Sequence, residues 1–307
     1  MRSMHLLQAI LLVIFLTAGG CRPGLPGSGK VPLNELELVR AWPVEGPGLL
    51  EPSGLVMRNG RLFTVADKVN DTVFRVQFEE EVVRLVPYLR FTPPASGAMD
   101  WEGIALDDKG TFHLVSEAHA RLARINLDGT ATWVSPDFRE EGRKAGLFQK
   151  RNAGLEGITS LGPGHWMAAV EREPRGLIEW NEEETRFTTE IESPSMAALP
   201  LLRLPDFAGL DASADGRLLH ALFRNAHLVV QLETDSGKWR ETTAWSYRAL
   251  ETDPRWAFQA QLHGQAEGLV VDGREVFLIL DNNRGGRQAD PSDRRPLLLH
   301  ARIPDRD

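Results

Sequence analysis

A short motif recurs five times along this chain, and its spacing constrains the fold more than any other feature of the sequence. Each copy places a glycine before a leucine or isoleucine, and the copies begin 49, 54, 52 and 59 residues apart. Repeats of roughly 40–50 residues are typical of β-propeller blades. The five copies are Ser53-Gly54-Leu55, Glu102-Gly103-Ile104, Glu156-Gly157-Ile158, Ala208-Gly209-Leu210 and Glu267-Gly268-Leu269.

The residues after each copy predict antiparallel strands. A short apolar strand leads to a turn such as Asn59-Gly60 or Asp215-Gly216, and a second apolar strand follows. Glycine turns between β-rich runs are the strongest local signal for a hairpin. Two further strands follow most copies, so each repeat predicts a four-stranded sheet.

The last repeat has only three such strands, and it ends at Leu297 to Ile303. A spare strand near the N-terminus, Glu37 to Pro43, is predicted to supply the fourth. Closing the ring in this way removes the sheet edges that invite aggregation. We therefore predict an all-β fold, a five-bladed β-propeller of four-stranded blades that forms a single domain over residues 35–307. A β-sandwich is the alternative, but it does not predict so regular a motif.

The first 20 residues have the composition of a secretory signal. Arg2 precedes an apolar run from Leu6 to Leu16, and small residues then lead to Cys21, the only cysteine of the chain. A transmembrane helix needs roughly 20 apolar residues, and this run is shorter. The stretch 16–21 resembles the lipobox of bacterial lipoproteins, although Ala18 stands where leucine is usual. We predict a signal peptide at 1–20 and lipidation of Cys21, with an ordinary cleaved signal as the alternative.

The segment 21–34 is rich in proline and glycine and predicts a flexible tether after the lipidated cysteine. These features predict a protein of the cell envelope that is anchored by lipid to a bacterial membrane and faces the periplasm or the exterior. The net charge of −8 argues against a nucleic-acid partner. A single cysteine excludes an internal disulfide framework. We expect a monomer.

Carboxylates mark the positions at which the inner strands of a propeller meet at one mouth of the central channel. Counting across each hairpin pairs a residue at the start of the first strand with an acid at the end of the second. The predicted pairs are Glu102 with Glu117, Glu156 with Glu171, Glu267 with Asp281, and Ser53 with Asp67. Residues two positions earlier share a face in an extended chain, which adds Glu51, Asp100 and Asp206 to the same rim.

Many carboxylates at one mouth repel one another and raise each other's pKa unless a cation compensates. Calcium takes six to eight oxygen ligands in loose geometry, which suits carboxylates from several strands. Zinc fits poorly because no histidine repeats within the motif. The alternative is that these acids bind backbone amides or line a water-filled channel. The predicted calcium ligands are Asp67, Glu102, Glu117, Glu156, Glu171, Glu267 and Asp281.

Long connections reach the same mouth, and two of them are basic: Arg139 to Asn152 and Asn282 to Pro296. Together with a cation, their arginines suit an anionic small molecule such as a phosphoester or a carboxylate. A histidine near the end of a second strand is placed to act as a base. Solvated loops of ordinary charge are the alternative. The candidate catalytic residues are His119, Arg172, Arg224 and Arg284.

Several segments resemble those of the bacterial phytase-like family, which is described as having esterase-like activity of phytase. They include Asp100 to Ile104, Gly154 to Ile158 and Gln265 to Leu269, and the related SdiA-regulated propellers share much of the pattern. The resemblance implies a propeller, export, and a metal-dependent phosphoesterase or esterase activity. Ser53 and Ala208 stand where the other copies have glutamate, so a complete ring of ligands is not expected.

Two functions from different classes remain open at this point. One is a calcium-assisted hydrolase of phosphoesters or other esters at the acidic mouth. The other is a non-catalytic envelope propeller that binds a ligand or a protein partner. The sequence contains no Gly-x-Ser-x-Gly elbow and no Walker loop, which argues against an α/β-hydrolase mechanism and a nucleotide-binding loop.

The lipid anchor makes a direct prediction. Replacing the cysteine, Cys21→Ser, should release the protein from the membrane fraction into the soluble periplasmic fraction, because the acyl chains that hold it are attached there. Fractionation of cells followed by immunoblotting measures the change. Unchanged membrane association of the variant would show that something other than this cysteine holds the protein.

Overall fold

The computed structural model describes six stretches of the chain: 33–48, 50–126, 128–200, 203–235, 237–259 and 263–305. The chain divides into two compact units, Met1–Lys30 and Val31–Asp307, and all described residues belong to the second. The predicted signal peptide, Cys21 and most of the tether lie outside the described residues. In the part that is described, no helix is long and apolar enough to cross a membrane.

The described residues form 21 β-strands, which fall into five consecutive groups after β1 (Leu33–Glu35) and β2 (Glu37–Glu45). Group one is β3 (Pro52–Arg58), β4 (Arg61–Ala66), β5 (Val69–Phe78) and β6 (Val83–Arg90). Group two is β7 (Trp101–Leu106), β8 (Phe112–Ser116), β9 (Arg121–Ile125) and β10 (Ala131–Trp133). Group three is β11 (Leu155–Gly162), β12 (His165–Val170), β13 (Gly176–Trp180) and β14 (Thr185–Thr188).

Group four is β15 (Leu210–Ala212), β16 (Leu218–Phe223), β17 (Leu228–Asp235) and β18 (Lys238–Ser246). Group five is β19 (Ala266–Asp272), β20 (Glu275–Leu280) and β21 (Leu297–Arg302). Two short α-helices lie between groups, α1 (Arg139–Lys144) and α2 (Arg248–Glu251), and 3₁₀ turns occupy Pro194–Ala198 and Arg224–Ala226.

Antiparallel hairpins connect the strands within each group, and the groups form four hydrogen-bonded sheets. Groups two and three are separate four-stranded sheets, and group four gains β1 as a parallel fifth strand. The remaining sheet has eight strands in the order β19-β20-β21-β2-β6-β5-β4-β3. Consecutive antiparallel four-stranded units of this kind define a β-propeller.

The N-terminal strand completes group five, as the sequence predicts. β2 pairs antiparallel with β21, for example Ala41 with Leu299, and then makes a short parallel pairing with β6 at Val44 and Val83. β1 begins at Leu33, within the segment predicted as the tether, and Leu33 pairs with Ala244 of β18.

Five hydrophobic clusters lie between the groups, and each draws its buried side chains from two consecutive groups. Phe63 of group one, for example, packs edge-on against Phe112 of group two at 5.3 Å between ring centroids. One cluster joins group five to group one through Ile279 and Leu55. Because both faces of the sheets are covered in this way, the inner strands read as nearly continuous apolar runs.

The innermost strands approach one another at the repeated glycines. A Cβ atom on Gly103 of β7 would lie 2.5 Å from the carbonyl oxygen of Glu156 in β11. A Cβ atom on Gly268 of β19 would lie 2.5 Å from the carbonyl carbon of Gly54 in β3. No other residue permits backbones to come this close. The repeated glycines therefore lie where converging strands crowd one another.

The closing strand makes a prediction about stability. Trp42 of β2 is 8% exposed and packs against Phe78 at 5.1 Å, whereas Val39 of the same strand is 44% exposed. Trp42→Ala should lower the free energy of unfolding by about 3–5 kcal/mol because it leaves a cavity between groups five and one. Val39→Ala is the matched control and should change it by less than about 0.5 kcal/mol. Urea unfolding measures both, and equal stability of the two variants would mean that β2 does not belong to the core.

Candidate functional site

A break in strand pairing positions each repeated glutamate. The register of β7 with β8 shifts between Trp101 and Gly103, so Glu102 lies at an irregularity in the ladder. Glu156 of β11 and Glu267 of β19 lie at shifts of the same kind. An irregularity of this type redirects a side chain away from the regular alternation of the strand.

The predicted cross-strand pairs are wrong by two residues, in part for this reason. The backbone amide of Glu117 donates to the carbonyl of Asp100 at 2.9 Å, not to Glu102. The amide of Glu171 likewise donates to the carbonyl of Gly154 at 2.9 Å. Asp281 and Asp67 show the same displacement, pairing with Gln265 and Glu51. In the β7–β8 ladder the irregularity accounts for one residue of the offset, since Gly103 pairs with Val115 but Trp101 pairs with Ser116, and the turn between the strands accounts for the other.

The carboxylates nevertheless line a single cavity of about 350 Å³, which we call the acidic cavity. Its lining includes all seven predicted calcium ligands. The cationic side chains of the lining are Lys68, Arg172 and Arg224. The acidic ones are Glu51, Asp67, Asp100, Glu102, Glu117, Glu156, Glu171, Glu267 and Asp281.

Arg224 lies inside this acidic cluster, in group four, where the sequence motif lacks its glutamate. One guanidinium nitrogen, Nη1, donates to both carboxylate oxygens of Glu267 at 2.6 and 2.5 Å. The Nη2 nitrogen donates to Glu171, and Nε donates to Asp206 at 3.1 Å. Burial opposes the charge, but the surrounding carboxylates hold the pKa of Arg224 well above its ordinary value.

This arrangement corrects the role expected for Arg224. The sequence analysis grouped it with the arginines that would hold an anionic ligand, yet its side chain is only 10% exposed and three carboxylates neutralise it. Breaking one partner of a buried ion pair is costly, which fixes such a cation in place. Arg224 is therefore an internal counter-ion of the acidic cavity.

The opposite side of the cavity has its own cations. Lys68 pairs with Asp67 and with Glu51, the latter at 3.3 Å, and the Nε of Arg284 donates to Glu51 at 2.7 Å. Although burial opposes it, the hydrogen bond from Arg284 and the charge of Lys68 lower the pKa of Glu51. Arg172 forms an ion pair with Glu171. Arg172 and Arg284, two of the candidate residues predicted from the sequence, thus have carboxylate partners at the mouth.

Five acids of the cavity have no such partner, since no arginine or lysine among the described residues forms an ion pair with them: Asp100, Glu102, Glu117, Glu156 and Asp281. Burial, followed by the charges of Asp67 and Glu267, raises the pKa of Glu102 well above its ordinary value. Burial and then the charge of Glu102 do the same for Glu156. Burial and then Glu267 raise the pKa of Asp281 to about 7.

The donor atoms of this cavity fit calcium in their chemistry. They are oxygens from several strands, and the buried Oδ1 atoms of Asp67 and Asp281 have no hydrogen-bond partner in the described part of the chain. Within the same residues, no three His, Cys, Asp or Glu side chains already stand close enough to hold a metal ion. Binding of calcium would therefore require these side chains to move closer together.

The structure places the histidines differently from the sequence prediction. His119 is not among the residues that line the acidic cavity, and its ring packs against Trp133 with centroids 5.2 Å apart. The sequence analysis did not single out His263, which is exposed and close enough to Arg172 and Arg224 for them to affect it. Burial, followed by the charges of these two arginines, lowers its pKa below 6.5. It lies outside the repeated motif, so no sequence signal distinguished it.

The fold and the site define an all-β propeller with a central cavity rich in carboxylates. Its sequence matches the SdiA-regulated family over residues 53–281, and the chain belongs to that family. This confirms the predicted relation to the SdiA-regulated propellers. No curated protein matches the chain in sequence. The phytase-like part of the resemblance stays a prediction.

Solved structures of similar shape are distant in sequence. A gluconolactonase from Xanthomonas campestris is 11% identical with a TM-score of 0.47, over 92% of this chain and 99% of that one. A virginiamycin B lyase from Staphylococcus aureus is 13% identical with a TM-score of 0.43, over 82% of this chain and 66% of the lyase. A luciferin-regenerating enzyme is 10% identical with a TM-score of 0.47, over 87% and 95%. This chain thus spans about two thirds of the length of the lyase. The activities in these names are those of the three similar proteins.

The raised pKa of Asp281 predicts how stability depends on pH. A carboxyl whose pKa rises on folding binds its proton more tightly in the folded state, so stability falls as the pH rises from 3.8 through about 7. With a chelator present, Asp281→Asn should make the protein more stable than the parent at pH 8 by up to about 4 kcal/mol, because each pKa unit is worth about 1.4 kcal/mol.

Urea unfolding at pH 4 and pH 8 measures this difference. The control is Asp108→Asn, which changes an exposed residue in a turn and should leave the pH profile of the parent unchanged. An Asp281→Asn variant that is less stable than the parent at pH 8 would show that this carboxylate is stabilised, not strained, by its surroundings.

Proposed function

We propose that this protein is a hydrolase of phosphoesters or other esters that uses a divalent cation, calcium, in the acidic cavity. One observation supports this above all. Nine carboxylates against three cations in the lining leave a formal excess of six negative charges in a cavity of about 350 Å³. Like charges gathered away from bulk water are costly, and a bound divalent cation relieves that cost.

The residues that would hold the ion are three of the five acids without an arginine or lysine partner, Glu102, Glu156 and Asp281, together with Asp67. The unsatisfied Oδ1 atoms of Asp67 and Asp281 support this choice. When bound, calcium supplies a Lewis acid for a phosphoryl or carbonyl oxygen. Arg224 fixes Glu171 and Glu267 on the other side, so these two are less free to move toward an ion.

Other residues of the cavity would bind and orient the substrate. Arg172 lines the cavity with a side chain 20% exposed, and Asn152 and Asn283 line it as uncharged donors. His263 lies outside the lining of the acidic cavity, but burial and then the charges of Arg172 and Arg224 lower its pKa, which favours the neutral ring that can accept a proton. These roles are part of the proposal and follow from position and protonation.

We also propose that the propeller has five blades. Group five with β2 would be one blade and group one another, so that the eight-stranded sheet counts as two. The pairing of β2 with β6 that joins them spans only two residues on each strand. Five hydrophobic clusters between consecutive groups support the same count.

The place of action that we propose is the cell envelope, with the protein held at a bacterial membrane through lipidated Cys21. The support is the lipobox-like stretch that follows an apolar run. The described domain begins at Leu33, a short distance along the chain from this cysteine. An anchored domain of this kind would meet substrates outside the cytoplasm.

Calcium binding is tested by its effect on folding. At a hundredfold excess over its dissociation constant, calcium should stabilise the parent by about 2.7 kcal/mol, because it binds the folded state. Glu156→Gln removes one charged ligand and should reduce this response. Glu182→Gln, which changes an exposed residue, should not. Calorimetry with calcium and with chelator measures all three proteins, and a parent indifferent to both would contradict the cation site.

Hydrolysis is tested separately with chromogenic phosphate esters and carboxyl esters. We expect the full-length protein to hydrolyse at least one of these esters. Chelator should abolish this activity, and added calcium should restore it. A protein that binds calcium but hydrolyses none of these esters would instead be a non-catalytic envelope propeller that binds a ligand or a protein.

A further inference from the structure

A second cavity of about 250 Å³ adjoins the acidic cavity, and its charge is the opposite. The two share Asp100, Glu117 and Asn152 in their linings. The rest of the second cavity comes mainly from the insert that contains α1, between groups two and three. Its cationic residues define what we call the basic pocket: Arg139, Arg143, Lys150 and Arg151.

The partners of these cations show which of them are free. Arg139 is held in place, since its Nη2 pairs with Asp137 at 2.7 Å and donates to the carbonyl of His119 at 3.1 Å. Lys150 pairs with Glu173 at 3.1 Å on the surface. Among the described residues, the guanidinium groups of Arg143 and Arg151 form no ion pair and no hydrogen bond to a protein group. Both are exposed and line the pocket.

The backbone around this pocket is strained. Ala120 and Phe148 have φ values of 49° and 52°, a region that such side chains rarely adopt, and Asp100 and Asn152 have 45° and 56°. These four pocket residues are close to half of the nine described non-glycine residues with positive φ. Strain of this kind persists where the surrounding structure imposes it, and it concentrates at ligand sites.

We propose that the basic pocket binds an oxyanion, a phosphate or a carboxylate group, of the same ligand whose reacting ester occupies the acidic cavity. This inference rests on the proposed function. It assigns the anionic group to Arg143 and Arg151 and not to Arg172 or Arg224, because carboxylates at the channel mouth already pair with Arg172 and Arg224. A guanidinium presents paired donors that match the oxygens of phosphate or carboxylate, so two free ones at one pocket suit such a group.

The substrate class follows from the position of the two cavities. It is an ester that carries an anionic group apart from the bond to be broken, so that one end enters the basic pocket and the other reaches the carboxylates. A neutral ester would lack the first contact. Arg143 and Arg151 would therefore contribute to substrate affinity, whereas the ester bond would be broken in the acidic cavity.

Binding is measured first with inorganic phosphate and with acetate, by isothermal titration of the full-length protein at physiological salt with chelator present. The double variant Arg143→Gln/Arg151→Gln should weaken binding of the preferred anion at least tenfold. The matched control is Arg61→Gln/Arg217→Gln, which removes the same charge from exposed positions beside the hairpin turns of groups one and four and should stay within about twofold of the parent. Tighter binding of phosphate indicates a phosphoryl group, and tighter binding of acetate indicates a carboxylate.

An equal loss of anion affinity in both double variants would overturn the inference, because it would mean that net charge alone attracts the anion. Absence of saturable binding of either anion by the parent would overturn it too. The response to calcium is measured separately, so the two proposals can fail independently. If phosphate binding depends on Arg143 and Arg151 but calcium has no effect on the protein, the proposed function is contradicted and the basic pocket is supported. Where hydrolysis is observed, the arginine variant should raise KM for anionic esters without changing kcat, and should leave neutral esters unaffected.

Discussion

The close approach of the innermost strands is the constraint on which the rest of this structure depends. At Gly103 and Gly268 the backbones of neighbouring groups come so near that no Cβ atom fits between them. This crowding sets the size of the central cavity, because side chains that precede these glycines must share the space at its mouth. The glycines are therefore structural, and the carboxylates beside them gain their proximity from that packing.

Crowded carboxylates need compensation, and the chain supplies part of it. Arg224 pairs with Glu171, Glu267 and Asp206 in one part of the cavity, and Lys68 with Arg284 pairs with Glu51 in another. Arg224 comes from the group whose motif has alanine in place of glutamate, so one repeat supplies a cation where others supply acids. Glu102, Glu156 and Asp281 retain raised pKa values. For this reason we propose that the cavity binds a cation.

The basic pocket adjoins the acidic cavity, so cationic and acidic side chains lie close together at the mouth of the channel. Under the proposed function, an anionic group and a reacting ester of one molecule would have separate places there, which a uniformly acidic channel does not offer. The pocket comes from an insert between groups two and three, whereas the acids come from the repeats. The match to the SdiA-regulated family over residues 53–281 includes this insert, and loops on a rigid scaffold are where specificity commonly resides.

The sequence by itself determined the repeated hairpins, the strand that closes group five and the residues that meet in the acidic cavity. These depend on local alternation, turn chemistry and repeat spacing, which one chain displays directly. Only the tertiary structure decided that Glu102 lies at a register shift, that Arg224 is a buried counter-ion and that His119 lies away from the cavity. Register shifts and ion partners arise between strands far apart in the chain, where packing distances and burial, and not residue order, select the contacts.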